Sequence, residues 1–212
     1  MARLSRKERE RLMHKREILI AAEKCFANKG FHSTVMSEIA KEAEFSVGTL
    51  YQFFPSKEGL YFAILQEKAS ALDESIRSGV SKETSPVKKI DSIVETCARY
   101  FQENDLFFKI YLFEIKGYSW NIKAGLESQV MEKYKKYLTF LEKIFAQGIK
   151  KKLFEAIEPR FLAFAFQELL NVFIADWLTG PQSSDLEDHL KVFRKIFFDG
   201  VMARIMTRTR KV

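Results

Sequence analysis

Cysteine, histidine and proline are all scarce in this chain of 212 residues. It contains two cysteines, Cys25 and Cys97, with three histidines and four prolines. Two cysteines without a C-x-x-C spacing exclude a disulfide scaffold and argue against a zinc or redox site, so we interpret both as small buried hydrophobic residues. The histidines lack metal-ligand spacing and no nucleophile–base set is present. We therefore predict no metal, no cofactor and no enzymatic activity.

Long hydrophobic runs are also missing. A membrane-spanning helix needs about 20 consecutive apolar residues, and the richest stretch, residues 161–178, is interrupted by Gln167, Glu168, Asn171 and Asp176. The basic N-terminal segment lacks the apolar core of a signal peptide. We therefore expect a cytoplasmic protein that does not partner a membrane.

What the sequence does contain is helical periodicity from end to end. Hydrophobic residues make up 47% of the chain and aromatic residues 14%, enough for a buried core. The formal net charge of +7 favours an anionic partner. Strand signals are nearly absent, and each proline marks a segment boundary rather than the middle of a pattern. The prediction is an all-α protein.

The helices group into a compact N-terminal unit and a longer C-terminal one. Three short helices are expected within residues 1–56: the first ends near Gly30, the second is capped by Thr34 and the third by Ser46. A connecting segment over 57–77, with a helix from Lys57 to about Ser75, leads into a domain over 78–212. In that domain we expect helices over 86–103, 105–117, 121–151, 159–179 and 185–207.

Residues 30–57 carry the informative motif. Two short helices separated by Glu44-Phe45-Ser46 have helix-turn-helix spacing, which an ordinary helical hairpin shares. The residues favour the DNA-binding unit, because this stretch resembles the N-terminal domain of the TetR family. The similar features are Gly30-Phe31, Thr34, Ile39-Ala40, Ala43, Ser46, Gly48-Thr49-Leu50-Tyr51, Phe54 and Ser56-Lys57. The resemblance implies an N-terminal three-helix helix-turn-helix domain and a helical C-terminal domain for ligand binding and dimerisation.

The second helix of the motif would enter the major groove of double-stranded DNA. Leu50 and Phe54, one turn apart, are expected to face inward, which leaves Val47 and Gln52 as the outward side chains able to touch bases. Hydroxyls and the Lys57 ammonium suit phosphate oxygens. The predicted DNA-binding residues are Thr34, Ser46, Val47, Gly48, Thr49, Tyr51, Gln52 and Lys57.

Three residues depart from the family pattern. Glu44 stands where glycine is usual in the turn and has to adopt a positive φ. Val47 replaces a residue that is often basic, and Phe53 replaces one that commonly donates to phosphate. The basic arm (Arg3, Arg6, Lys7, Arg9 and Arg11) either compensates by contacting DNA or is a solvated tail.

The last two helices are apolar on more than one face. One chain offers too little surface to bury both, and a four-helix bundle with a second copy solves this. We therefore predict a homodimer, as the resemblance also implies. The predicted dimerisation residues are Phe173, Trp177, Leu190, Phe193 and Phe197.

Aromatic residues crowd the middle helices. They are either ordinary core or the lining of an apolar cavity for a small hydrophobic effector. The candidate effector-binding residues are Phe101, Phe108, Tyr111, Glu114, Tyr137 and Glu168. The predicted function is a transcriptional repressor that such an effector releases from its operator. The alternative is an effector-independent architectural or interaction protein with the same fold.

Overall fold

The computed structural model describes residues 4–116, 124–180 and 185–202, without the side chains of 111–131. Within these ranges the chain is helical, and its only β pairing is an isolated bridge between Phe154 and Met202. The all-α prediction is confirmed. The described helices are α1 (Arg6–Ser33), α2 (Met36–Glu42), α3 (Val47–Phe53), α4 (Lys57–Ser81), α5 (Pro86–Glu103), α6 (Asp105–Lys116), α7 (Ala124–Lys150), α8 (Pro159–Thr179) and α9 (Leu186–Val201).

Most predicted helix boundaries are close to those observed. Gly30 does interrupt α1, with φ of 76°, but the helical pattern resumes for one further turn to Ser33. α4 continues to Ser81, six residues past the predicted end at residue 75, because polar residues on a helix surface do not by themselves end it. The predicted end of the last helix at residue 207 lies outside the described residues.

The chain divides into two compact units. The first comprises Met1–Ala71 and Asn104–Val130, and the second comprises Leu72–Glu103 and Met131–Val212. α4 therefore begins in the first unit and ends in the second. The domain boundaries expected at residues 56 and 77 stay a prediction.

The core of the first unit is built on one stripe of α1. Ile18, Ala22 and Phe26, spaced four residues apart, are almost completely buried. The Phe26 ring meets Tyr61 of α4 edge-on, with 5.0 Å between ring centroids. An ion pair reinforces this packing, since Lys68 Nζ of α4 lies 3.0 Å from Glu23 Oε1 of α1. α1 and α4 are thus joined by apolar and charged contacts.

The second unit has a phenylalanine core. Phe145 of α7, Phe166 of α8 and the α9 residues Phe193 and Phe197 pack with centroid separations of 5.3–6.0 Å. Each such aromatic pair adds about 0.5–1.5 kcal/mol beyond its buried area. At the edge of this unit, Arg194 of α9 binds carboxylates of α5 and of its own helix. Its partners are Asp91 at 2.7 Å, Glu187 at 3.2 Å and Glu95 at 3.4 Å.

α8 is the most apolar of the described helices. Among the described helices it alone is long and apolar enough to cross a bilayer, judged by length and composition. Of its most apolar 18 residues, 44% are buried inside the chain. The core helices of soluble proteins can have the same length and composition. The polar interruptions noted in the sequence therefore lie on a helix that is already part of a protein core.

Both cysteines are consistent with a structural interpretation. Cys97 is buried, and this burial raises the pKa of its thiol to about 12. Cys25 is half-buried, and its pKa is also raised, chiefly by burial and then by the Glu42 charge. Neither thiol has the depressed pKa of a reactive cysteine. In the described part of the chain, no three His, Cys, Asp or Glu residues are grouped as a metal site.

Candidate functional site

The turn between α2 and α3 is set by the conformation of Glu44. This residue has φ of 60°, the left-handed conformation that the sequence required of it. Phe45 N donates to Ala40 O at 2.9 Å and Glu44 N to Lys41 O at 3.2 Å, which is the Schellman pattern of a helix C-terminus. Glu44 therefore occupies the position that usually favours glycine, and it aims the chain into α3.

α3 is held in place by its buried face. Ser46 caps it, with Oγ accepting from Thr49 N at 3.0 Å. Leu50 is completely buried and Phe54 is 5% exposed, so the predicted inward orientation is confirmed. The opposite face of α3 is open, with Val47 and Tyr51 exposed beside Gly48 and Gln52. A short helix fixed on one side and open on the other is the arrangement that groove reading needs.

Six of the eight predicted DNA-binding residues lie on this open surface. Five are exposed and Thr49 is half-buried. An added Cβ at Gly48 would meet only Ser46 Oγ, at 3.8 Å, so the surface around it is free of close neighbours within the described chain. These six residues are Ser46, Val47, Gly48, Thr49, Tyr51 and Gln52. Their contacts with DNA stay a prediction.

Thr34 lies elsewhere than expected. It is fully buried, and its hydroxyl lies 2.8 Å from Gly30 O and 3.2 Å from Cys25 O. The predicted capping of α2 by Thr34 is wrong, because Val35 is the N-cap residue and Glu38 accepts from its backbone N–H. The side chain of this N-cap residue, Val35, is 50% exposed. With its hydroxyl directed inward, Thr34 shapes the turn that follows α1.

Lys57 is engaged with the backbone. Its Nζ donates to the carbonyl oxygens of Phe31 at 2.7 Å, Thr34 at 2.7 Å and His32 at 3.3 Å. It also lies 4.4 Å from the centre of the Phe31 ring. An ammonium group has three donors, and three carbonyls use them. Lys57 thus fastens the end of α1 to the start of α4, and a phosphate would have to share or replace these contacts.

The basic arm is helical rather than a loose tail from Arg6 onward. Ser5 and Glu8 form a capping box at the start of α1. A groove of about 280 Å³ separates these first turns from the end of α3, and Arg11 lies over the Phe53 ring at 6.0 Å. The groove is lined by Lys7, Glu10, Arg11, His14, Gln52 and Phe53. The residue Arg3 lies outside the described residues, and nothing in the structure tests whether the arm contacts DNA.

The predicted dimerisation residues are mostly internal to one chain. Leu190, Phe193 and Phe197 are 0–4% exposed, since they pack within the second unit. Phe173 and Trp177 are half-buried. The large apolar side chains that are exposed on the same two helices are Phe161, Val172, Val192 and Ile196, each exposed by about half. The outward stripe, rather than the core stripe, is the free surface of α8 and α9.

The candidate effector-binding residues are spread over both units. Phe101 and Tyr137 belong to the second unit, where Phe101 is buried and Tyr137 half-buried, whereas the buried Phe108 belongs to the first. The side chains of Tyr111 and Glu114 lie outside the described residues. Glu168 is exposed and accepts a hydrogen bond from Tyr134 Oη at 3.3 Å. Burial, and secondarily the Glu168 charge, raises the pKa of Tyr134 to about 12.

The buried polar groups of α8 are instead Gln167 and Asn171. They are 6% and 5% exposed, and Gln167 Nε2 donates to Asn171 Oδ1 at 2.8 Å. Gln167 Oε1 and Asn171 Nδ2 are left without a hydrogen-bond partner in the described chain. Each buried polar group without a hydrogen-bond partner lowers the free energy of unfolding by about 1–3 kcal/mol. Both residues interrupt the apolar stretch in the sequence, as the predicted residue Glu168 does. Glu168 follows Gln167 directly and is therefore turned about 100° around the helix, onto an exposed face.

The comparisons with known proteins agree on one family. The sequence profile of bacterial regulatory proteins of the tetR family matches residues 18–64, which include the helix-turn-helix. The HTH-type transcriptional regulator YhgD of Bacillus subtilis, itself uncharacterized, is 26% identical over 77% of this chain and 83% of its own. The fatty acid metabolism regulator protein of the same organism is 22% identical over 80% of this chain and 86% of its own.

Solved structures share the fold over almost the whole chain. The fatty acid degradation regulator FadR from Bacillus halodurans superposes with a TM-score of 0.77 at 23% identity, covering 88% of this chain and 95% of that one. AibR in complex with isovaleryl coenzyme A and operator DNA superposes with a TM-score of 0.75 at 21% identity, covering 87% of this chain and 98% of that one. FadR from Bacillus subtilis in complex with stearoyl-CoA superposes with a TM-score of 0.75 at 20% identity, covering 87% of this chain and 97% of that one.

Proposed function

The chain belongs to the TetR family of bacterial regulatory proteins, and we propose that it is a repressor that an acyl-coenzyme A releases from its operator. The observation that carries this proposal is the geometry of α3. Its inner face is anchored by Leu50, and its outer face presents Val47, Tyr51 and Gln52. Such a helix is suited to reading base edges in the major groove.

The residues of this surface have separable roles. Gln52 carries an amide that pairs bidentately with adenine, and Val47 packs against a thymine methyl. Ser46, Thr49 and Tyr51 supply hydroxyls for phosphate oxygens, which position the protein without reading sequence. The basic first turns of α1 border Gln52 across the groove described above. Their charge replaces the phosphate donor that Phe53 cannot supply.

A homodimer completes the regulator. Val172 of α8 and Val192 and Ile196 of α9 are about half exposed, although the same two helices form part of the core of the second unit. Apposing this stripe to its copy across a two-fold axis buries it in a four-helix bundle. The dimer also sets the spacing of the two α3 helices, about 34–36 Å in DNA-bound proteins of this type.

An acyl-CoA is the effector class we favour. Two of the structural neighbours hold acyl-CoA molecules, isovaleryl coenzyme A and stearoyl-CoA. A related protein is named as a fatty acid metabolism regulator. The acyl chain suits the aromatic residues of the C-terminal helices, which belong to a phenylalanine-rich unit. α4, which begins in the first unit and ends in the second, is the segment through which binding reaches α3.

Other interpretations receive less support. The relatives described above are named as regulators, which favours regulation over a purely architectural role and over enzymatic activity. We place the protein in the cytoplasm, where it reaches chromosomal DNA.

The experiment that tests DNA reading is selection from randomised double-stranded DNA with purified full-length protein. The wild type is expected to select a palindromic site. Gln52→Ala should relax the preference at one position of each half-site by about 1–3 kcal/mol. Gln147→Ala, an exposed glutamine of α7, is the matched control and should leave the site unchanged. Selection of no consensus by the wild type would refute the proposal.

A further inference from the structure

A pair of buried amides on α8 has unused hydrogen-bonding capacity. Gln167 and Asn171 lie one turn apart and bond to each other at 2.8 Å. In the described chain this single bond leaves one side-chain carbonyl oxygen, Gln167 Oε1, and one side-chain NH2 group, Asn171 Nδ2, without a hydrogen-bond partner. Exchanging the oxygen and nitrogen of both amides would reverse the bond but leave the same remainder, one acceptor and one donor. The conclusion is therefore independent of how the amides are oriented.

The unpaired polar atoms of the two amides lie in an apolar environment, where they are unfavourable. α8 is the most apolar helix described, and both side chains are at least 94% buried. Phe166 and Phe173 of the same helix contact Phe193 of α9. The pair lies on a different flank, because one residue turns the side chain by about 100°. The amides are therefore buried on a flank of α8 that includes neither the phenylalanines in contact with α9 nor the exposed Val172.

We propose that Gln167 and Asn171 bind the effector through a group that donates one hydrogen bond and accepts another. This inference rests on the proposed function. In an acyl-CoA, each secondary amide of the pantetheine arm is such a group: its N–H faces the unpaired oxygen of the pair and its carbonyl accepts from the unpaired N–H. A hydroxyl on the acyl chain has the same two capacities. A plain alkyl chain or a thioester carbonyl lacks the donor.

The proposed role of the pair also gives an apolar unit a means to distinguish its ligand. Apolar contacts with an acyl chain discriminate weakly between chains of similar length. A buried donor and acceptor reject a ligand that leaves them unpaired. Gln167 and Asn171 thus select for the polar part of the effector, while the surrounding hydrophobic residues accommodate its chain.

The test compares full-length wild type with the near-isosteric variant Gln167→Met/Asn171→Leu. Calorimetric titrations use stearoyl-CoA, isovaleryl-CoA and 3-hydroxydodecanoic acid. We expect the variant to melt at the wild-type temperature or above it, since it removes unpaired polar groups, and to keep its operator affinity. Its affinity for the acyl-CoA probes should fall about ten- to hundred-fold. A loss confined to the hydroxy acid would identify the hydroxyl as the group bound.

One control variant and one replacement variant keep the result unambiguous. Gln102→Leu makes a similar exchange at an exposed position of α5 and should bind every probe as the wild type does. The single variant Gln167→Met replaces the double one if that fails to fold. Unchanged affinity in a folded variant, as expected if the pair holds only an internal water, would overturn this inference and leave the proposed function standing. A wild type that binds DNA but none of the probes would overturn both.

Discussion

At the scale of single residues, Glu44 is the clearest case of local strain. A side chain in the left-handed region costs about 1–3 kcal/mol, whereas glycine adopts it freely at a cost of about 0.5–1 kcal/mol in chain entropy. Glu44→Gly should therefore stabilise the protein by about 1 kcal/mol, measured by urea unfolding. Glu44→Ala keeps the Cβ and should give no such gain. Equal gains in both variants would mean that charge, not φ, sets the cost.

Lys57 gives a second prediction at this scale. Replacing it by methionine deprives three backbone carbonyls of a charged donor, so the free energy of unfolding should fall by about 1.5–3 kcal/mol. If Lys57 also contacts a phosphate, as the sequence predicts, the same variant should lower the salt dependence of operator binding by about one unit. Lys82→Met, at an exposed position, is the control. A loss of stability with an unchanged salt slope would limit Lys57 to its structural role.

Single residues also show where sequence reasoning stopped. The positive φ of Glu44 and the inward Leu50 followed from the motif, because turn geometry and helical spacing are local. The orientation of Thr34 did not, since its hydroxyl bonds to carbonyls of the preceding helix instead of capping the next one. A threonine before a helix has both options, and only the path of the chain after Gly30 decides between them.

At the scale of elements, the pairing of α1 with α4 depends on a mostly buried ion pair. The side chains of Glu23 and Lys68 are 11% and 24% exposed. Lys68→Met leaves the carboxylate without this cation and should cost about 3 kcal/mol in unfolding free energy. The double variant Glu23→Leu/Lys68→Met should recover most of that loss. Strictly additive losses in this double-mutant cycle would show that the two side chains are not coupled.

The helices themselves were largely predictable, but their faces were less so. Periodicity and proline positions placed α5 and α8 within one or two residues. The assignment of Phe193 and Phe197 to a dimer interface is not supported by their burial in the phenylalanine core. An amphipathic pattern with two apolar stripes does not say which stripe packs within the chain. That choice depends on α7 and α8, which approach α9 only in the folded unit.

At the scale of the whole molecule, the outward stripe should control assembly. Val192→Glu and Ile196→Glu place a charge on the exposed face of α9, so each should give a folded monomer in light scattering with unchanged helical circular dichroism. Phe193→Glu buries the charge in the core and should unfold the protein instead. Dimers that persist in both stripe variants would place the interface elsewhere.

The central claim is that an acyl-CoA controls operator binding, and the direct measurement is fluorescence anisotropy of a labelled operator bound to the wild-type protein. Titration with stearoyl-CoA or isovaleryl-CoA should weaken operator affinity saturably, by about 5- to 150-fold, the usual range of allosteric coupling. Coenzyme A without an acyl group should have little effect. Operator affinity that stays constant, at acyl-CoA concentrations that raise the melting temperature and therefore bind, would contradict the account.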